Sequence, residues 1–557
     1  MHTAQPSGPR RLVRIAAIAA ATVVLAAGCG SSKKDSGATA TTLGGGGGTT
    51  APGPTTTLVP KDGGDITMGT EADIDGFDPT RNRWDITGLT YAQTVYDELA
   101  QFGDDGKVYP YLAESITPNA TFTEWTIKLR PGIKFHDGSP VTNVDVATAL
   151  QADHDAPLTG TALANVDTIT KVAGDNLSTL VKMKRPWVPF PGYLTGQLGV
   201  VPKAATITGK TAAQKPVGTG PFVFKEWVVG NHFTATKNPN YWRKGLPHLN
   251  SITFKPIVEP SVRESALKAG DIQIFHTTET HTIKNLKGDK SVNTILQTKG
   301  ELEEDMIMLN TGKEPFNNAH ARKAVALATD VEAIIQDQAD GIPPKAEGPF
   351  SSGSAWDPGN VGYPQFNVDD AKKEVAAYKV DTGKDLTFAL SGVPGARSVE
   401  LIQYQLAQWK TAGIIATFDQ TEQSQYILNA LQGKYQAIGW RQFGEPDPDF
   451  DNVWWNSVGA ADQGALALNF ARNKDPLLDA AMLKGRESSI LEERKAAYKD
   501  VATRLAIDLP FIFTTQATWA IMANPKIHDI TNWTLPDGTK GAELLSGRFQ
   551  IAQVWTE

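Results

Sequence analysis

Residues 125–146 read WTIKLRPGIKFHDGSPVTNVDV, and two different periodicities succeed one another within this stretch. Trp125, Ile127 and Leu129 alternate with polar residues, which is the pattern of a half-buried β-strand. A Pro-Gly turn signal follows, and the alternation resumes at residues 133–135, so the pattern predicts a β-hairpin. Thr142 is a suitable N-cap and predicts a helix over residues 144–152. The stretch therefore favours a fold that mixes strands and helices.

Outward from this stretch, strands and helices continue in both directions. Residues 65–70 form a predicted strand after Gly63-Gly64, and residues 222–229 form another after a Gly-Thr-Gly-Pro turn. Asn318 is a suitable N-cap for one long helix, whose apolar positions recur at spacings of three and four up to Ile335.

The second half of the chain alternates helix and strand. The pattern predicts a helix at 399–409, a strand at 414–418, a helix at 423–431 and a strand at 435–440. Gly413 and Gly433 are placed to end the two helices. Such alternation indicates an α/β lobe.

The same stretch also carries a resemblance. Residues 106–115 (GKVYPYLAES) and 125–146 are similar to the signature region of the family 5 extracellular solute-binding proteins, the oligopeptide-, dipeptide- and nickel-binding subunits of bacterial ABC importers. Further blocks match in the same order, and the resemblance covers about residues 62–520. These blocks are 217–222 (VGTGPF) with 238–242 (NPNYW), 266–274 (ALKAGDIQI) and 309–330 (LNTGKEPFNNAHARKAVALATD).

The resemblance implies a mixed α/β fold of the bilobal, type II periplasmic-binding-protein kind, with an extra subdomain on the first lobe and a hinged ligand cleft. It places the first lobe at 61–305, including an inserted subdomain at about 99–213, and the second lobe at 306–520. Residues 521–557 would return to the first lobe. Ligand would be enclosed as the lobes close, which requires that it contact the closed form better than the open one.

The N-terminus predicts export and a lipid anchor. Three arginines precede thirteen small or apolar residues, 15–27, a run too short for a permanent membrane span but typical of a signal peptide, here residues 1–28. Leu25-Ala26-Ala27-Gly28-Cys29 resembles a bacterial lipobox, which implies that Cys29, the single cysteine of the 557 residues, carries lipid. Residues 29–60 are rich in Gly, Ser, Thr and Pro and predict a flexible tether. The pair Arg10-Arg11 leaves open a twin-arginine export signal as the alternative to the general secretory pathway.

Net charge and the N-terminal signals limit which partners and which cellular compartment are expected. A formal charge of −8 without a long basic run argues against a nucleic-acid partner. The expected partners are a peptide or other small ligand, the permease and ATPase subunits of an importer, and the membrane through Cys29. The protein is expected to work as a monomer outside the cytoplasm, without cofactor or bound metal.

Residues 440–455 (WRQFGEPDPDFDNVWW) contain most of the candidate ligand contacts. In peptide-binding members of the family an acid after this strand pairs with the peptide α-amino group, and charge-assisted hydrogen bonds suit that task. Counting forward from Tyr435 places this acid at Glu445. Counting back from Asp447 places the same position at Gly444. The predicted ligand-binding residues are Trp440, Arg441, Glu445, Tyr426, Trp454 and Trp84, and packing or plain solvent exposure is the competing interpretation of each.

Other functions are less well supported by the sequence. Ser265 and Lys268 match one motif of penicillin-binding enzymes, but the third motif of those enzymes is missing, so no catalytic residue is expected. His276 and His281 are the densest histidine pair, and their spacing suits neither a strand nor a helix as a metal site. A nickel-chelate or oligosaccharide ligand, and a surface receptor or sensor without a transport role, remain alternatives.

Overall fold

The computed structural model describes residues 58–82, 84–157 and 159–557. The signal peptide, Cys29 and residues 29–57 of the tether lie outside the described residues. No helix within the described part of the chain is long and apolar enough to cross a membrane.

The strands of the described residues have a mean length of about five residues, which is ordinary for a globular protein. They are β1 Asp65–Thr70, β2 Ala100–Phe102, β3 Val108–Pro110, β4 Ala113–Pro118, β5 Glu124–Leu129, β6 Val166–Lys171, β7 Ser178–Met183, β8 Phe222–Val228, β9 His232–Lys237, β10 Ser251–Pro256, β11 Ile274–Thr277, β12 Asn293–Leu296, β13 Glu304–Leu309, β14 Thr387–Gly392, β15 Ile415–Gln420, β16 Ala437–Gln442, β17 Phe511–Gln516, β18 Ala520–Ala523, β19 Ile527–His528 and β20 Trp555–Thr556.

The helices lie between and around these strands. They are α1 Ile86–Val95, α2 Asn143–Asp155, α3 Thr159–Ala162, α4 Phe190–Tyr193, α5 Ala204–Thr208, α6 Pro260–Ala269, α7 Thr280–Leu286, α8 Ala319–Ala328, α9 Val331–Gln338, α10 Val368–Thr382, α11 Ala396–Thr411, α12 Gln423–Leu431, α13 Asn452–Trp455, α14 Pro476–Glu487 and α15 Leu491–Asp508.

Two large sheets organise the molecule. The seven-stranded sheet has the order β12-β18-β11-β1-β10-β9-β8, and its central strand β1 is parallel to both neighbours. The five-stranded sheet has the order β15-β14-β16-β13-β17, in which β14 is parallel to β15 and β16, while β13 is antiparallel to β16 and β17. Separate buried apolar clusters pack on the two sheets, two on the seven-stranded sheet and two on the five-stranded sheet.

Two adjacent chain segments connect the large sheets. The chain leaves β12 and enters β13 through residues 297–303, and it leaves β17 and enters β18 through residues 517–519. The backbone N–H of Ala517 donates to the carbonyl of Glu303 at 2.7 Å, and that of Gln297 donates to the carbonyl of Trp519 at 2.8 Å. The two connections therefore run side by side, and together they position the residues between the sheets.

A smaller four-stranded sheet, β4-β5-β7-β6, holds the stretch that begins at Trp125. The predicted hairpin is wrong, because β5 pairs with β4 and β7 instead of with residues 133–135. Both edges of β5 are thus occupied, while Ile133 and Phe135 point into the same apolar core from a tight turn closed by the Phe135 N–H and the Ser139 carbonyl. The helix prediction is confirmed, since Thr142 forms a capping box with Asp145 at the start of α2.

The long helix predicted after Asn318 is wrong at its middle. Asn318 caps α8 as expected, but the chain breaks at Thr329–Asp330 and resumes as α9. The Asp330 carboxylate accepts from the Ala333 N–H and caps the second helix, and the Trp409 indole N–H donates to the Thr329 hydroxyl. A second capping residue inside a continuous apolar pattern therefore divides the helix. The predicted strand at 65–70 and helix at 423–431 are confirmed by β1 and α12.

Candidate ligand-binding site

The turn after β16 determines which acidic side chain is presented beyond the end of that strand. Phe443 and Gly444 both have positive φ, 71° and 82°, so the chain reverses sharply. The ring of Phe443 packs into the core, 4.9 Å from that of Trp455. A Cβ at Gly444 would lie 2.4 Å from the backbone of Leu302 and Glu303, too close for any side chain. Glu445 is therefore the first acidic side chain that the turn presents, and it is exposed to solvent.

Arg441, on β16, connects the two large sheets. Its Nη1 donates to the hydroxyl of Thr278, the residue after β11, at 2.6 Å. Its Nε lies 3.7 Å from Oε2 of Glu303, and its guanidinium lies 5.2 Å from the ring of Trp519. The Trp519 indole N–H donates to the same Glu303 oxygen at 2.6 Å. This arrangement holds a planar cation between both sheets and both connecting segments.

Three of the predicted aromatic residues lie together on the other face of β16. Tyr426 and Trp440 stack with centroids 5.5 Å apart, and the rings of Trp440 and Trp454 contact that of Phe470 at 5.3 and 5.2 Å. The Tyr426 hydroxyl donates to the carbonyl of Gly439. Successive side chains of a strand point to opposite faces, so Trp440 is turned away from Arg441. Both tryptophans remain half-buried, which leaves part of each ring accessible.

Trp84 lies in the core of the seven-stranded sheet. It is 9% exposed, it stacks on Tyr96, and its indole N–H donates to the Gly76 carbonyl at 2.9 Å. The next residue, Asp85, is exposed and caps α1 by accepting from the Gly88 N–H. Sequence reasoning selected the large aromatic residue here, whereas the structure turns its charged neighbour outward.

Two acids near Arg441, Glu303 and Asp305, were not predicted from the sequence. Burial raises the pKa of both Glu303 and Asp305. The positive charge of Arg441 offsets part of that rise in each case. Glu445 reaches solvent, yet the protein around its carboxylate displaces part of the surrounding water and raises its pKa, against the opposing charge of Arg548. The sequence signal was present in the acidic run at residues 301–305, which extends into β13, but no spacing rule assigns such a run to a site.

Arg441 is strongly held in its charged form. Burial alone would lower the pKa of its guanidinium, but the carboxylates of Glu303, Asp305, Glu71 and Glu279 together raise it. Glu71 follows β1 and Glu279 follows β11, so both acids come from the seven-stranded sheet. The neighbourhood of Arg441 is therefore rich in negative charge from both sides.

The Asp-Pro-Asp turn that follows Glu445 is structural. Asp447 accepts two hydrogen bonds from Arg494, at 2.9 and 2.7 Å. Asp449 is fully buried and accepts from the Trp187 indole N–H at 2.7 Å and from Arg486 at 2.8 Å. Both carboxylates are occupied by protein groups, so neither is free to hold a ligand.

A separate groove of about 480 Å³ lies on the five-stranded-sheet side. Its two arginines, Arg322 and Arg472, donate to backbone carbonyls, including those of Phe316 and Leu431. Both guanidinium groups are therefore engaged in holding the backbone around this groove.

The histidine pair does not form a common site. His276 is fully buried on β11, while His281 lies exposed on α7 near Asp340. Among residues 58–82, 84–157 and 159–557, no three His, Cys, Asp or Glu side chains are grouped to hold a metal ion.

Comparison with known proteins places the chain among binding proteins. The family model "Bacterial extracellular solute-binding proteins, family 5 Middle" matches residues 107–465. The glutathione-binding protein of Pectobacterium atrosepticum is 27% identical over 449 residues, which cover 77% of this chain and 84% of that protein. A di/tripeptide-binding protein of Pseudomonas aeruginosa is 28% identical over 507 residues, covering 83% and 90%.

A solved structure shows the same fold. The oligopeptide-binding protein of Bacillus subtilis, in complex with a nonapeptide, superposes with a TM-score of 0.76 at 22% identity, covering 90% of this chain and all of that one. The mixed α/β, type II periplasmic-binding-protein fold implied by the sequence resemblance is thereby confirmed.

Proposed function

The chain belongs to the bacterial extracellular solute-binding proteins of family 5, and we propose that it is the lipid-anchored solute-binding component of an ABC importer. In this proposal it captures a peptide between two lobes and delivers it to a membrane permease, while an ATPase subunit supplies the energy. The protein itself catalyses no reaction. It acts as a monomer on the outer side of the cell membrane.

The observation that carries the proposal is the position of Arg441. Its guanidinium belongs to the five-stranded sheet, yet it donates to Thr278 beside the seven-stranded sheet. A group that contacts both halves at once stabilises the approach of one towards the other, which is what ligand capture between hinged lobes requires.

The sheet composition supports the proposed lobes. The seven-stranded sheet draws its strands from residues 65–296 and 520–523, and the five-stranded sheet draws its strands from residues 304–516. We accordingly propose a first lobe at 61–305, with the subdomain at about 99–213 inserted in it, a second lobe at 306–520, and a return to the first lobe at 521–557.

A peptide is the ligand that these groups suit best. Glu445 is solvent-exposed at the end of β16 and offers a carboxylate for the peptide α-amino group. Trp440 and Trp454, on the opposite face of β16 from Arg441, keep part of each ring accessible for apolar side chains of a ligand. Relatives are named for di- and tripeptides and for glutathione, itself a peptide.

Thermal unfolding of the full-length protein in detergent, with and without mixed di- to pentapeptides, tests the proposal. Peptide at about 100 times its Kd should add about 2.7 kcal/mol to the free energy of unfolding. Glu445→Gln should abolish most of that shift, whereas Glu347→Gln, at an exposed glutamate elsewhere, should keep it. If a nickel chelate or an oligosaccharide produces the shift and peptides do not, the peptide assignment is wrong.

The anchor is tested separately. Cys29→Ser should release the protein from the membrane fraction into the soluble fraction, because a transferred acyl chain is what holds it there. Retention of the Cys29→Ser protein in membranes would contradict the proposed lipidation.

A further inference from the structure

We propose that the groove lined by Arg322 and Arg472 is a second binding site, which holds a small organic anion carrying carboxylate or phosphate groups. All of its lining residues lie within residues 311–508, that is, within the proposed second lobe. Arg441, between the two large sheets, does not line it. The groove therefore needs no approach of the lobes, and it does not depend on the capture of a peptide.

Most arginines of the proposed second lobe lie close to a carboxylate. Residues 306–520 contain seven arginines, and five of them have an Asp or Glu oxygen within 4.0 Å. These five are Arg397, Arg441, Arg486, Arg494 and Arg504. The two that have no carboxylate of the described residues within that distance are Arg322 and Arg472. Both line the groove.

Arg472 is a buried cation with neutral partners only. It is 4% exposed, and it donates to the backbone carbonyls of Asn469, Leu431 and Ala465. Its Nε is buried and has no hydrogen-bond partner among the described residues. A carbonyl oxygen accepts a hydrogen bond but carries no net charge, so the positive charge of Arg472 stays uncompensated.

Two further cations extend this positive charge towards solvent. The half-buried Arg322 donates to the carbonyls of Asp508 and Phe316. Lys474 is an exposed lining residue, and its ammonium group has no ion pair or hydrogen bond within the described part of the chain. Guanidinium and ammonium groups are the partners that carboxylates and phosphates bind most strongly.

Two acids also line the groove without matching these cations. Asp508 pairs with Arg504 at 3.4 Å, and Arg504 in turn pairs with Asp475, so these three groups compensate one another in part. Asp462 is exposed, and water screens its charge. With Arg504 and Asp475 included, four cations are present for three carboxylates. The groove therefore keeps a net positive charge.

The titration behaviour of the arginines agrees with this charge balance. Burial lowers the pKa of Arg322 and of Arg472, because the protein around them does not replace the water that a charged guanidinium loses. The pKa of Arg486 is instead raised, by the carboxylate of Asp449 at 2.8 Å. An anion in the groove would act on its two arginines as Asp449 acts on Arg486.

The dimensions of the groove suit a small molecule. Its volume of about 480 Å³ lies within the range of small-molecule pockets, roughly 300–1,000 Å³. Thr311, Gln463 and Asn473 also line it, so polar groups surround the cations. A dicarboxylate, a tricarboxylate or a small phosphate ester has both the size and the charge that this lining accommodates.

Calorimetric titration of the full-length protein in detergent, at constant ionic strength set with NaCl, is the direct measurement. The probes are citrate, succinate, inorganic phosphate and uncharged glycerol. We expect one anion to bind per chain and glycerol not to bind. The tighter of citrate and phosphate identifies the preferred group. If none of the three anions binds, the groove is not an anion site and the proposal is wrong.

Variants at the exposed lining residues locate the bound anion without disturbing the backbone bonds of the arginines. Lys474→Gln should weaken binding of the tightest probe about three- to tenfold, because one favourable charge is lost. Asp462→Asn should tighten it about twofold, because a like charge is removed. Lys410→Gln, at an exposed lysine on α11, should leave it unchanged. Equal affinities for the Lys474 and Lys410 variants would place the anion elsewhere and overturn the proposal.

Peptide binding by the same proteins separates this site from the proposed function. Lys474→Gln should bind peptides as the natural protein does. If citrate and peptide compete for one site, the groove is not a second site, and the proposed function stands. If citrate binds and peptides do not, the peptide-binding function fails and the anion site stands.

Discussion

Gly444 illustrates how one residue sets the geometry of the site. Its backbone has φ 82°, and a Cβ would meet the backbone of Leu302 and Glu303 at 2.4 Å. Gly444→Ala should therefore destabilise the protein by about 3 kcal/mol, from the steric clash together with the positive φ. Gly138 has nearly the same φ, 83°, with no atom within 4 Å of a built Cβ, so Gly138→Ala should lose only about 1 kcal/mol. Equal urea midpoints for the two variants would show that the clash is absent.

Glu301 gives a pH-dependent prediction at the same scale. Its Oε2 accepts from the Ser351 N–H, its Oε1 is buried without a partner, and burial raises its pKa from 4.5 to about 7. The folded state therefore binds this proton more tightly than the unfolded chain, and stability is lost as pH rises from about 4.5 to about 7.

Glu301→Gln removes this loss. The free energy of unfolding of the variant, relative to the natural protein, should grow by about 2 to 3 kcal/mol between pH 4.5 and pH 8. Urea titrations at several pH values measure the difference, with Glu347→Gln as the flat control. Parallel stability curves for Glu301→Gln and the natural protein would contradict the raised pKa.

At the scale of elements, the turn after β16 joins parts of the chain that are far apart in sequence. Asp449 receives hydrogen bonds from Trp187, beside the four-stranded sheet, and from Arg486 on α14. Asp449→Asn leaves a buried guanidinium without its counter-charge and should cost about 3 kcal/mol. The neighbouring pair Arg185–Glu487 has an arginine side chain that is 58% exposed, so Glu487→Gln should cost less than about 1 kcal/mol. Similar losses for the two variants, measured by urea unfolding, would show that Asp449 is not the buried link described.

At the scale of the whole molecule, the contact between Arg441 and Thr278 is expected to favour approach of the two lobes. Thr278→Val deletes the hydroxyl that accepts from Arg441 and should weaken peptide binding about five- to tenfold, as the loss of a charge-assisted hydrogen bond implies. Thr253→Val removes a hydroxyl contact with Thr234 within the seven-stranded sheet and should leave affinity unchanged. Unaltered affinity in Thr278→Val, measured by calorimetry, would mean that this contact does not contribute to capture.

Much of the local structure was predictable because its causes are local. The Thr142 cap, strand β1 and helix α12 follow from side chains within a few residues of each element. The family was also readable, since ordered sequence blocks carry it. The break between α8 and α9 shows the limit of such reasoning, because an apolar pattern continues across it while Trp409, distant in sequence, bonds to Thr329.

The sequence by itself determined the family and the order of most elements, and it predicted a region of candidate ligand contacts. Only the tertiary structure decided that β5 lies between β4 and β7, and that Glu303, Thr278 and Trp519 gather around Arg441. The physical reason is that strand pairing joins residues far apart in the chain, and the register of that pairing fixes the face on which every side chain lies. No local pattern contains that information.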